Sequence, residues 1–313
     1  MKSMRVLLTD GLQKTGKDLL DSSVEVKDWK GISAEELKNT IADYDAVIIR
    51  SRTKMTREVI KQATNLKVIG RCGVGVDNID LDAAAEHGVI VVNAPCATTL
   101  SVAELTMGLI FALAREIPRA DFGMKKGEWL KKDLMGIEIN RKALGIIGYG
   151  RIGQRVARLA ASAGMKIVVQ DRREISSSIL VEVGEEVSFD QMMAISDFIT
   201  IHTPLTDTTR NLIDASAISK MKDGVRIICT ARGGIIDEKA LLEGLNSGKI
   251  AGAALDVFAQ EPSDHLELIN HPGVIATPHI AGQTIEAQQR ASADIAREVI
   301  GALNGEKLRW RII

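Results

Sequence analysis

The sequence predicts an α/β protein built from two doubly wound parallel sheets. Short apolar runs, each long enough for one buried strand, alternate with helical patterns along the chain, which is typical of parallel sheets covered by helices on both faces. A glycine-rich turn lies between an apolar run and a helical pattern near the middle of the chain, where a second sheet is expected to begin. At 313 residues, the chain is long enough for two domains.

The bulk composition excludes several classes of protein. The chain has 40 Lys and Arg against 41 Asp and Glu, a net charge of −1, so it has no general attraction for nucleic acid or anionic membranes. Its cysteines, Cys72, Cys96 and Cys229, are scattered and form no pair with metal-ligand or redox spacing. No apolar run reaches the length of a signal peptide or a membrane span. We therefore expect a soluble cytoplasmic protein without a metal site.

The first domain is expected to begin at residue 1 and to contain a flavodoxin-like sheet. Helical patterns separate its strands, and this alternation favours a parallel sheet with helices on both faces. The residues Asn93-Ala94-Pro95 break the pattern and mark a boundary, because a proline interrupts both helices and strands. Five apolar runs are the predicted strands: Met4–Thr9, Val24–Val26, Ala46–Ile49, Leu66–Ile69 and Val89–Val92.

A long apolar helix is predicted at Ser101–Arg115, and an exposed arm follows it. The arm contains Trp129 between two pairs of lysines. A helix this apolar, followed by a protruding arm, indicates a subunit interface. An ordinary buried helix explains the apolar helix equally well, so both interpretations stay open here.

The glycine-rich turn has the pattern of a dinucleotide-binding βαβ unit. The apolar run Ala143–Ile147 precedes Gly148, Gly150 and Gly153, which have the spacing G-x-G-x-x-G, and a helical pattern follows. In this Rossmann unit, one glycine permits the tight turn, another lets the pyrophosphate approach the backbone, and the third lets the helix pack on the strand. The helix N-terminus then presents N–H groups to the pyrophosphate.

The residue that ends the next strand indicates which dinucleotide is bound. Asp171 lies eighteen residues after Gly153, where an acid accepts hydrogen bonds from the adenosine ribose of NAD and repels a 2′-phosphate. Arg172 follows directly, and an arginine there can accommodate that phosphate. We expect NAD as the cofactor, with NADP left open by Arg172.

Four later strands bring polar residues to the same edge of this second sheet. They are predicted at Phe198–His202, Val225–Thr230, Ala251–Val257 and Val274–Thr277. Ligands of an open parallel sheet bind outside the carboxyl ends of its strands, so the loops that leave these strands should lie near the glycine turn. The last predicted helix, Thr284–Leu303, has no position left in this sheet and is expected to return to the first domain. The predicted layout is a substrate domain of residues 1–95 plus 284–313 around a cofactor domain of residues 96–283.

Three residues in these loops are candidates for chemistry. His279 follows a strand end and has small residues after it, which leaves its ring room to face a ligand as an acid–base group. Glu261 could orient that ring and favour its protonated form, or it could be a solvated loop acid. Arg232 stands among small residues and suits a bidentate grip on a carboxylate; the alternative is a salt bridge to Asp237 or Glu238.

The other four histidines are expected to be structural. His202 also ends a strand at this edge, but Pro204 follows closely, so we expect His202 to shape its loop. His87 precedes a glycine at a helix end, and His265 and His271 lie in a polar loop.

Taken together, the patterns indicate a nicotinamide enzyme in which a histidine exchanges the hydroxyl proton of a 2-hydroxy acid while hydride moves to or from the cofactor.

Several segments of the chain match motifs of a known family: Arg71–Asp80, Ser101–Leu105, the glycine turn, His202–Leu205, Ala231–Asp237, Ala254–Phe258 and Pro278-His279. By these segments the chain resembles the D-2-hydroxyacid dehydrogenase family along nearly its whole length, and within it the branch that oxidises 3-phosphoglycerate. The resemblance implies that Arg232, Glu261 and His279 are the catalytic arginine, glutamate and histidine. It also implies a homodimer through residues 100–130 and a Rossmann domain inserted into the substrate domain.

The resemblance also implies a cofactor site. Within that site, Asp256 is expected to meet the nicotinamide carboxamide, and Arg151 and Ile152 are expected to lie against the pyrophosphate. The expected cofactor-binding residues are Gly148, Gly150, Arg151, Ile152, Gly153, Asp171, Thr203, Pro204, Thr230, Ala231, Asp256 and Gly282.

A phosphorylated 2-hydroxy acid needs cations and a carboxylate site. Arg50 and Arg52 leave one predicted strand end and Arg71 leaves the next, so these arginines are expected to bind the phosphate, unless they form only a solvated basic loop. By resemblance, the backbone at Val74 and Gly75 binds the carboxylate.

The expected reaction is oxidation of D-3-phosphoglycerate to 3-phosphohydroxypyruvate, the first step towards serine. A glyoxylate or hydroxypyruvate reductase, or another D-2-hydroxyacid dehydrogenase, is the first alternative. A dinucleotide-sensing scaffold, like the C-terminal-binding-protein corepressors, is a remote one. Since the sequence ends at Ile313, no C-terminal regulatory domain is expected.

Overall fold

The computed structural model describes residues 4–175 and 184–313, which form two compact units. Unit 1 comprises Met1–Thr98 and Gln283–Ile313, and unit 2 comprises Thr99–Gly282. The first change of unit falls at the start of a long helix, three residues after the expected boundary at Pro95. Among the described residues, no helix is both long and apolar enough to cross a membrane.

Both units alternate strands with helices, as the sequence pattern predicts. The strands are β1 (Arg5–Leu8), β2 (Glu25–Asp28), β3 (Ala46–Ile49), β4 (Val68–Arg71), β5 (Ile90–Asn93), β6 (Ala143–Ile147), β7 (Lys166–Gln170), β8 (Glu185–Glu186), β9 (Phe198–Ile201), β10 (Val225–Cys229), β11 (Ile250–Leu255) and β12 (Val274–Ala276). The α-helices of the described ranges are α1 (Lys14–Asp21), α2 (Ala34–Thr40), α3 (Arg57–Gln62), α4 (Leu81–Glu86), α5 (Thr99–Arg115), α6 (Ile117–Lys125), α7 (Arg151–Ser162), α8 (Phe189–Ile195), α9 (Ala215–Lys220), α10 (Glu238–Asn246), α11 (Leu266–Ile269) and α12 (Ile285–Leu303).

Unit 1 contains a five-stranded sheet in the order β2-β1-β3-β4-β5. Every strand pair is parallel, and the order is that of flavodoxin-like sheets. The central strand β3 is buried along its whole length, which explains why its sequence is a continuous apolar run rather than an alternating one. One apolar core lies on each face of the sheet. The long helix α12 packs on α1 and along β4 and β5.

Unit 2 contains a seven-stranded sheet in the order β12-β11-β10-β9-β6-β7-β8, again wholly parallel. Read from β8, its first six strands have the Rossmann order 3-2-1-4-5-6, so the predicted α/β fold class is confirmed. The strand order reverses between β6 and β9, next to the glycine turn. The two-residue strand β8 was missed by the sequence pattern, because Glu185-Glu186 is exposed and acidic and forms no apolar run.

Helix α5 belongs to unit 2, where it packs against α7, β10 and β11. Its face towards the sheet buries large side chains such as Ile110 and Leu113. The segment after it is different, since Trp129 is 76 % exposed and Met135 is 85 % exposed. The apolar residues of α5 are therefore explained by packing within unit 2, whereas the predicted arm exposes large apolar side chains.

Candidate active site

The glycine turn joins β6 to α7, and the structure distinguishes the three glycines. Gly148 has φ +90°, and a Cβ there would lie 2.8 Å from the carbonyl of His202, so this glycine makes the tight turn possible. A Cβ on Gly153 would overlap the Gly148 carbonyl, so this one permits close packing of the helix. A Cβ on Gly150, the N-cap of α7, would meet no protein atom within 4 Å. Gly150 therefore faces open space, as the glycine that a pyrophosphate approaches should.

The helix start completes this cradle. Arg151 and Ile152 form the first turn of α7, and Gly150 supplies no side-chain cap for it. A helix start without a side-chain cap leaves backbone donors and the positive end of the helix dipole for an anion. These residues fit the pyrophosphate of a dinucleotide.

Asp171 lies directly after β7 and is fixed beside the same turn. Its Oδ2 accepts a hydrogen bond from the Tyr149 N–H (2.7 Å) and its Oδ1 from the Arg173 N–H (3.0 Å). Burial alone would raise the pKa of Asp171, but these two donors and the Arg173 guanidinium, 3.6 Å from Oδ1, together hold that pKa below its ordinary value. The group is thus an ionised carboxylate, which is suited to accept hydrogen bonds from ribose hydroxyls and to repel a 2′-phosphate. The arginine paired with it is Arg173 rather than Arg172, and both arginines are exposed.

The pair Glu261 and His279 comes together as the sequence suggested. The His279 Nδ1 lies 2.8 Å from Glu261 Oε2, and the two side chains are 47 % and 40 % exposed. Glu261 Oε1 also accepts from the Phe258 N–H at 3.2 Å. A carboxylate at Nδ1 fixes the tautomer that carries its proton there, which leaves the lone pair of Nε2 to accept a proton.

The loop that presents His279 is strained and is held by Asp256. His279 has φ +54°, in the left-handed region, at a cost of about 1 kcal/mol or more. Asp256 Oδ1 accepts from Thr277 Oγ1 (2.6 Å) and the Ile280 N–H (2.8 Å), and Oδ2 accepts from the Ala281 N–H (2.8 Å). These bonds bracket His279 on both sides and keep the loop in this conformation.

This placement gives Asp256 a role within its own chain. The residue is fully buried, and its carboxylate accepts hydrogen bonds from three donors of the histidine loop. The structure thus shows a buried acid that holds this loop, while the contact expected between Asp256 and the nicotinamide carboxamide stays a prediction.

Arg232 leaves β10 on a loop that touches the loop of Glu261. A Cβ on the next residue, Gly233, would overlap the Phe258 carbonyl, so the two backbones are in direct contact there. The Arg232 Nη1 donates to the Ala231 carbonyl at 2.7 Å. Of the acids weighed as its partners, Asp237 caps α10 through the N–H groups of residues 239 and 240, and Glu238 bonds to the Glu261 loop.

His202 lies at the end of β9 in a different environment. Its Nε2 is 3.0 Å from Thr200 Oγ1, and burial lowers its pKa to about 3. It is therefore neutral at physiological pH and does not exchange protons there, which agrees with the loop-shaping role expected for it. Its Nδ1 and the Thr203 hydroxyl are buried without a partner among the described residues.

The remaining cofactor candidates occupy the loops after β9, β10 and β12. Pro204 is exposed, and its carbonyl accepts from Thr209 Oγ1 at 2.7 Å. The hydroxyl of Thr230 is buried and lies 3.1 Å from that of Thr106 on α5, so it ties that helix to the sheet. Ala231 and Gly282 lie in the loops that carry Arg232 and His279.

In unit 1, the three arginines expected to bind phosphate differ in how firmly they are held. Arg52 donates from Nε to Asp10 (2.8 Å) and from its two Nη atoms to the carbonyls of Ile32 (2.9 Å) and Thr9 (2.8 Å). Asp10 thus neutralises the charge of Arg52, and most of the Arg52 donors are used within the chain.

Arg50 and Arg71 both bond to uncharged oxygens through their side chains. The Arg50 side chain contacts the amide oxygen of Gln288, which is uncharged. Arg71 Nη1 donates to the carbonyl of Cys72 at 2.7 Å. Val74 and Gly75 follow in the loop after β4, where the Asn93 amide donates to the Val74 carbonyl at 2.7 Å.

Sequence reasoning missed the contacts that hold this edge together. The hydrogen bonds of Asp256 with residues 277–281, and those of Glu238 with Ala259 and His265, join residues about twenty positions apart or more. No local pattern marks them. A buried aspartate directly after an apolar strand is the one signal that the sequence offered.

Comparison with known proteins places this geometry in a family. Residues 107–281 match the model of the D-isomer-specific 2-hydroxyacid dehydrogenase NAD-binding domain. The D-3-phosphoglycerate dehydrogenase of Methanocaldococcus jannaschii is 47% identical over 306 residues, which are 97% of this chain but 58% of that protein. The chain thus spans little more than half the length of the curated relatives it matches.

Solved structures agree over the whole chain. A glyoxylate reductase from Paecilomyes thermophila has a TM-score of 0.92 and 32% identity, with 100% of this chain and 99% of that one covered. The Aquifex aeolicus D-lactate dehydrogenase, complexed with NAD and lactic acid, has a TM-score of 0.85 and 31% identity, with 96% of each chain covered. The chain belongs to the D-isomer-specific 2-hydroxyacid dehydrogenases, and it carries that family's NAD-binding domain.

Proposed function

We propose that this chain catalyses the NAD-dependent oxidation of D-3-phosphoglycerate to 3-phosphohydroxypyruvate, the first step towards serine. The observation that carries the proposal is the bond between His279 and Glu261, 2.8 Å long, at the edge of a sheet that has the family's NAD-binding glycine turn. The choice of acid is supported by curated relatives at 43–47% identity that are named D-3-phosphoglycerate dehydrogenase.

In the proposed mechanism, the α7 start and Asp171 would hold NAD, which when bound would supply the acceptor for the hydride of the carbon that bears the hydroxyl. His279 takes the hydroxyl proton at Nε2, and Glu261 stabilises the imidazolium that results. Arg232 binds the carboxylate or polarises the reacting oxygen, as a planar guanidinium is suited to do.

The proposed substrate site uses cations of unit 1. Arg50 and Arg71 bind the phosphate, and the backbone at Val74 and Gly75 binds the carboxylate. Arg52 positions Asp10, which in turn accepts from the Arg50 N–H at 2.7 Å. This division of roles follows from the bonds that already occupy the Arg52 guanidinium.

We further propose that two copies of the chain form a homodimer through residues 100–130. The support is the exposure of Ile117, Phe122 and Trp129 within this region, which is more apolar surface than a short segment of an isolated chain usually exposes. Sedimentation of Trp129→Glu against the unmodified chain tests this: a shift towards monomer is expected, and an unchanged dimer would contradict the assignment of this surface.

The alternatives are separated by one substrate panel. The reductase hypothesis is supported by similar solved structures that are named glyoxylate reductase and D-lactate dehydrogenase. NADH production with 3-phosphoglycerate, and NADH consumption with 3-phosphohydroxypyruvate, hydroxypyruvate, glyoxylate and pyruvate, are measured and repeated with the NADP forms. We expect the highest kcat/KM for the phosphorylated pair with NAD. Preference for an unphosphorylated acid would favour the reductase, and absence of turnover with every acid would favour a dinucleotide-sensing scaffold.

Matched variants then test phosphate recognition. Arg50→Ala is expected to lower kcat/KM for phosphorylated substrate at least tenfold more than for hydroxypyruvate, because a charge-assisted hydrogen bond to phosphate is lost. Arg52→Ala is expected to lower both more evenly, through the loss of the Asp10 contact. Equal losses for the two acids in Arg50→Ala would remove Arg50 from phosphate binding.

A further inference from the structure

We propose that Glu238 is a positioning residue for the Glu261–His279 pair, with His265 as its partner. The proposal rests on the proposed function, because it concerns the residues that the proton transfer uses. Glu238 is the first residue of α10 and is therefore fixed to a rigid element. Its carboxylate is 16 % exposed, and both of its oxygens are bonded to a single loop.

These two bonds hold the loop on either side of Glu261. Glu238 Oε1 accepts from the Ala259 N–H at 2.7 Å, two residues before Glu261. Glu238 Oε2 lies 3.2 Å from the Nδ1 of His265, four residues after it. One carboxylate thus binds both ends of the segment whose middle carries the glutamate.

Nothing apolar fixes the middle of this segment. Residues 259–262 are all exposed, so no buried side chain anchors them, and Glu261 itself is bonded within the described chain to His279 and to the Phe258 N–H. The polar bonds of Glu238 and the backbone contact at Gly233 therefore restrain the segment that carries Glu261.

Position is the quantity that matters for this pair. A displacement of about 1 Å can reduce a rate by as much as 10²-fold when it disturbs catalytic groups. If the loop moved outward, the bond between Glu261 and His279 would lengthen, and the imidazolium would lose its counter-charge. Glu238 acts on the reaction in this way only, through Glu261.

A structural role for Glu238 predicts a different result. A carboxylate in the first turn of a helix also stabilises the helix through its dipole, and its loss would lower the melting temperature without altering the proton transfer. The pH dependence of kcat/KM for oxidation distinguishes the two roles. Loss of the Glu261 counter-charge moves the acid limb of that profile to lower pH, because the base then loses its proton more readily.

The experiment compares Glu238→Ala with Glu261→Gln, with the double variant, and with Glu243→Ala as a control on the exposed side of the same helix. We expect Glu238→Ala to lower kcat about tenfold and to move the acid limb in the direction that Glu261→Gln moves it. The double variant should show no further movement, since both changes disturb one pair. Glu243→Ala should match the unmodified protein.

The partner histidine supplies a rescue test. In His265→Asn, the side-chain amide can donate to Glu238 in place of Nδ1, so kcat should stay within about twofold of the unmodified enzyme. His265→Ala cannot donate and should shift the profile as Glu238→Ala does, to a smaller extent. An active Glu238→Ala variant whose acid limb does not move would overturn the proposal. An unmodified protein without turnover would instead contradict the proposed function.

Discussion

Two histidines end strands at the same edge of the unit 2 sheet, and their surroundings give them opposite properties. His202 follows β9, has a buried Nδ1, and its pKa falls to about 3 because burial disfavours its charged form. His279 follows β12, is half-exposed, and has the carboxylate of Glu261 at its Nδ1. A position at a strand end is therefore not sufficient for a histidine to suit acid–base chemistry. The side chain also needs access to solvent and a carboxylate partner.

The backbone of the two loops differs in the same sense. His202 continues the strand direction and donates its N–H to Ile147 on the neighbouring strand at 2.7 Å. His279 is held in a left-handed conformation by the three donors that Asp256 binds. Strain of this kind persists only where the surrounding bonds determine it, and it concentrates at functional sites. The His279 loop therefore has the strained backbone that the proposed reacting site would require, and the His202 loop has the regular backbone of a strand end.

Replacement of the two histidines is the strongest way to break this comparison. His279→Ala removes the acid–base atom, so kcat for oxidation should fall by about 10²–10⁴-fold, with little change in the Kd for NAD. His202→Gln, which can still bond to Thr200, should retain kcat within a few-fold. Steady-state NADH production measures both. Comparable losses in the two variants would contradict the division of roles.

Loss of the Asp256 hydrogen bonds to the histidine loop is expected to have the next largest effect on kcat. Asp256→Ala leaves the donors of Thr277, Ile280 and Ala281 without their acceptor. An unpaired buried donor costs about 1–3 kcal/mol, and the Ala281 N–H is the buried one of the three. We expect kcat to fall by about 10²-fold and the melting temperature to drop. Asp256→Asn keeps one acceptor oxygen and should lose less of both. A variant with normal kcat and a lower melting temperature would show that Asp256 stabilises the fold without positioning His279.

Removal of the Glu261 charge makes the surroundings of His279 more like those of His202, because His279 then has no carboxylate at its Nδ1. Glu261→Gln retains a side chain of the same shape, so the loop should stay in place and kcat should fall by about tenfold. The acid limb of the kcat/KM profile should move to lower pH, because the imidazolium is no longer stabilised by a neighbouring charge. A profile with an unchanged limb would mean that Glu261 does not act on the protonation of His279.

Local patterns predicted the elements and the strand-end positions of the candidate residues but not the bonds that place them. The strand runs, the glycine turn and the strand-end positions of Arg232 and His279 follow from local sequence, because strand periodicity and turn chemistry are local properties. The bonds of Asp256 to the His279 loop could not be predicted in this way, because they depend on packing between residues more than twenty positions apart. Arg52 was ranked with Arg50, yet its bonds to Asp10 and two carbonyls come from tertiary contacts that the Arg-Ser-Arg run cannot show.

The smallest expected effect concerns the stability of the protein rather than its rate. His202 has a pKa of about 3 in the folded chain and about 6.5 when unfolded, so between these values the unfolded state binds the extra proton. Acidification below pH 6.5 therefore destabilises the folded state through His202 by about 1.4 kcal/mol per pH unit, and above pH 6.5 the group contributes no pH dependence. His202→Gln removes this dependence, so the free energies of urea unfolding of the two proteins should approach each other as the pH falls from 6.5 to 4.5. Parallel curves over that range would show that His202 is not a buried neutral histidine, and the contrast with His279 would then have to rest on Glu261 alone.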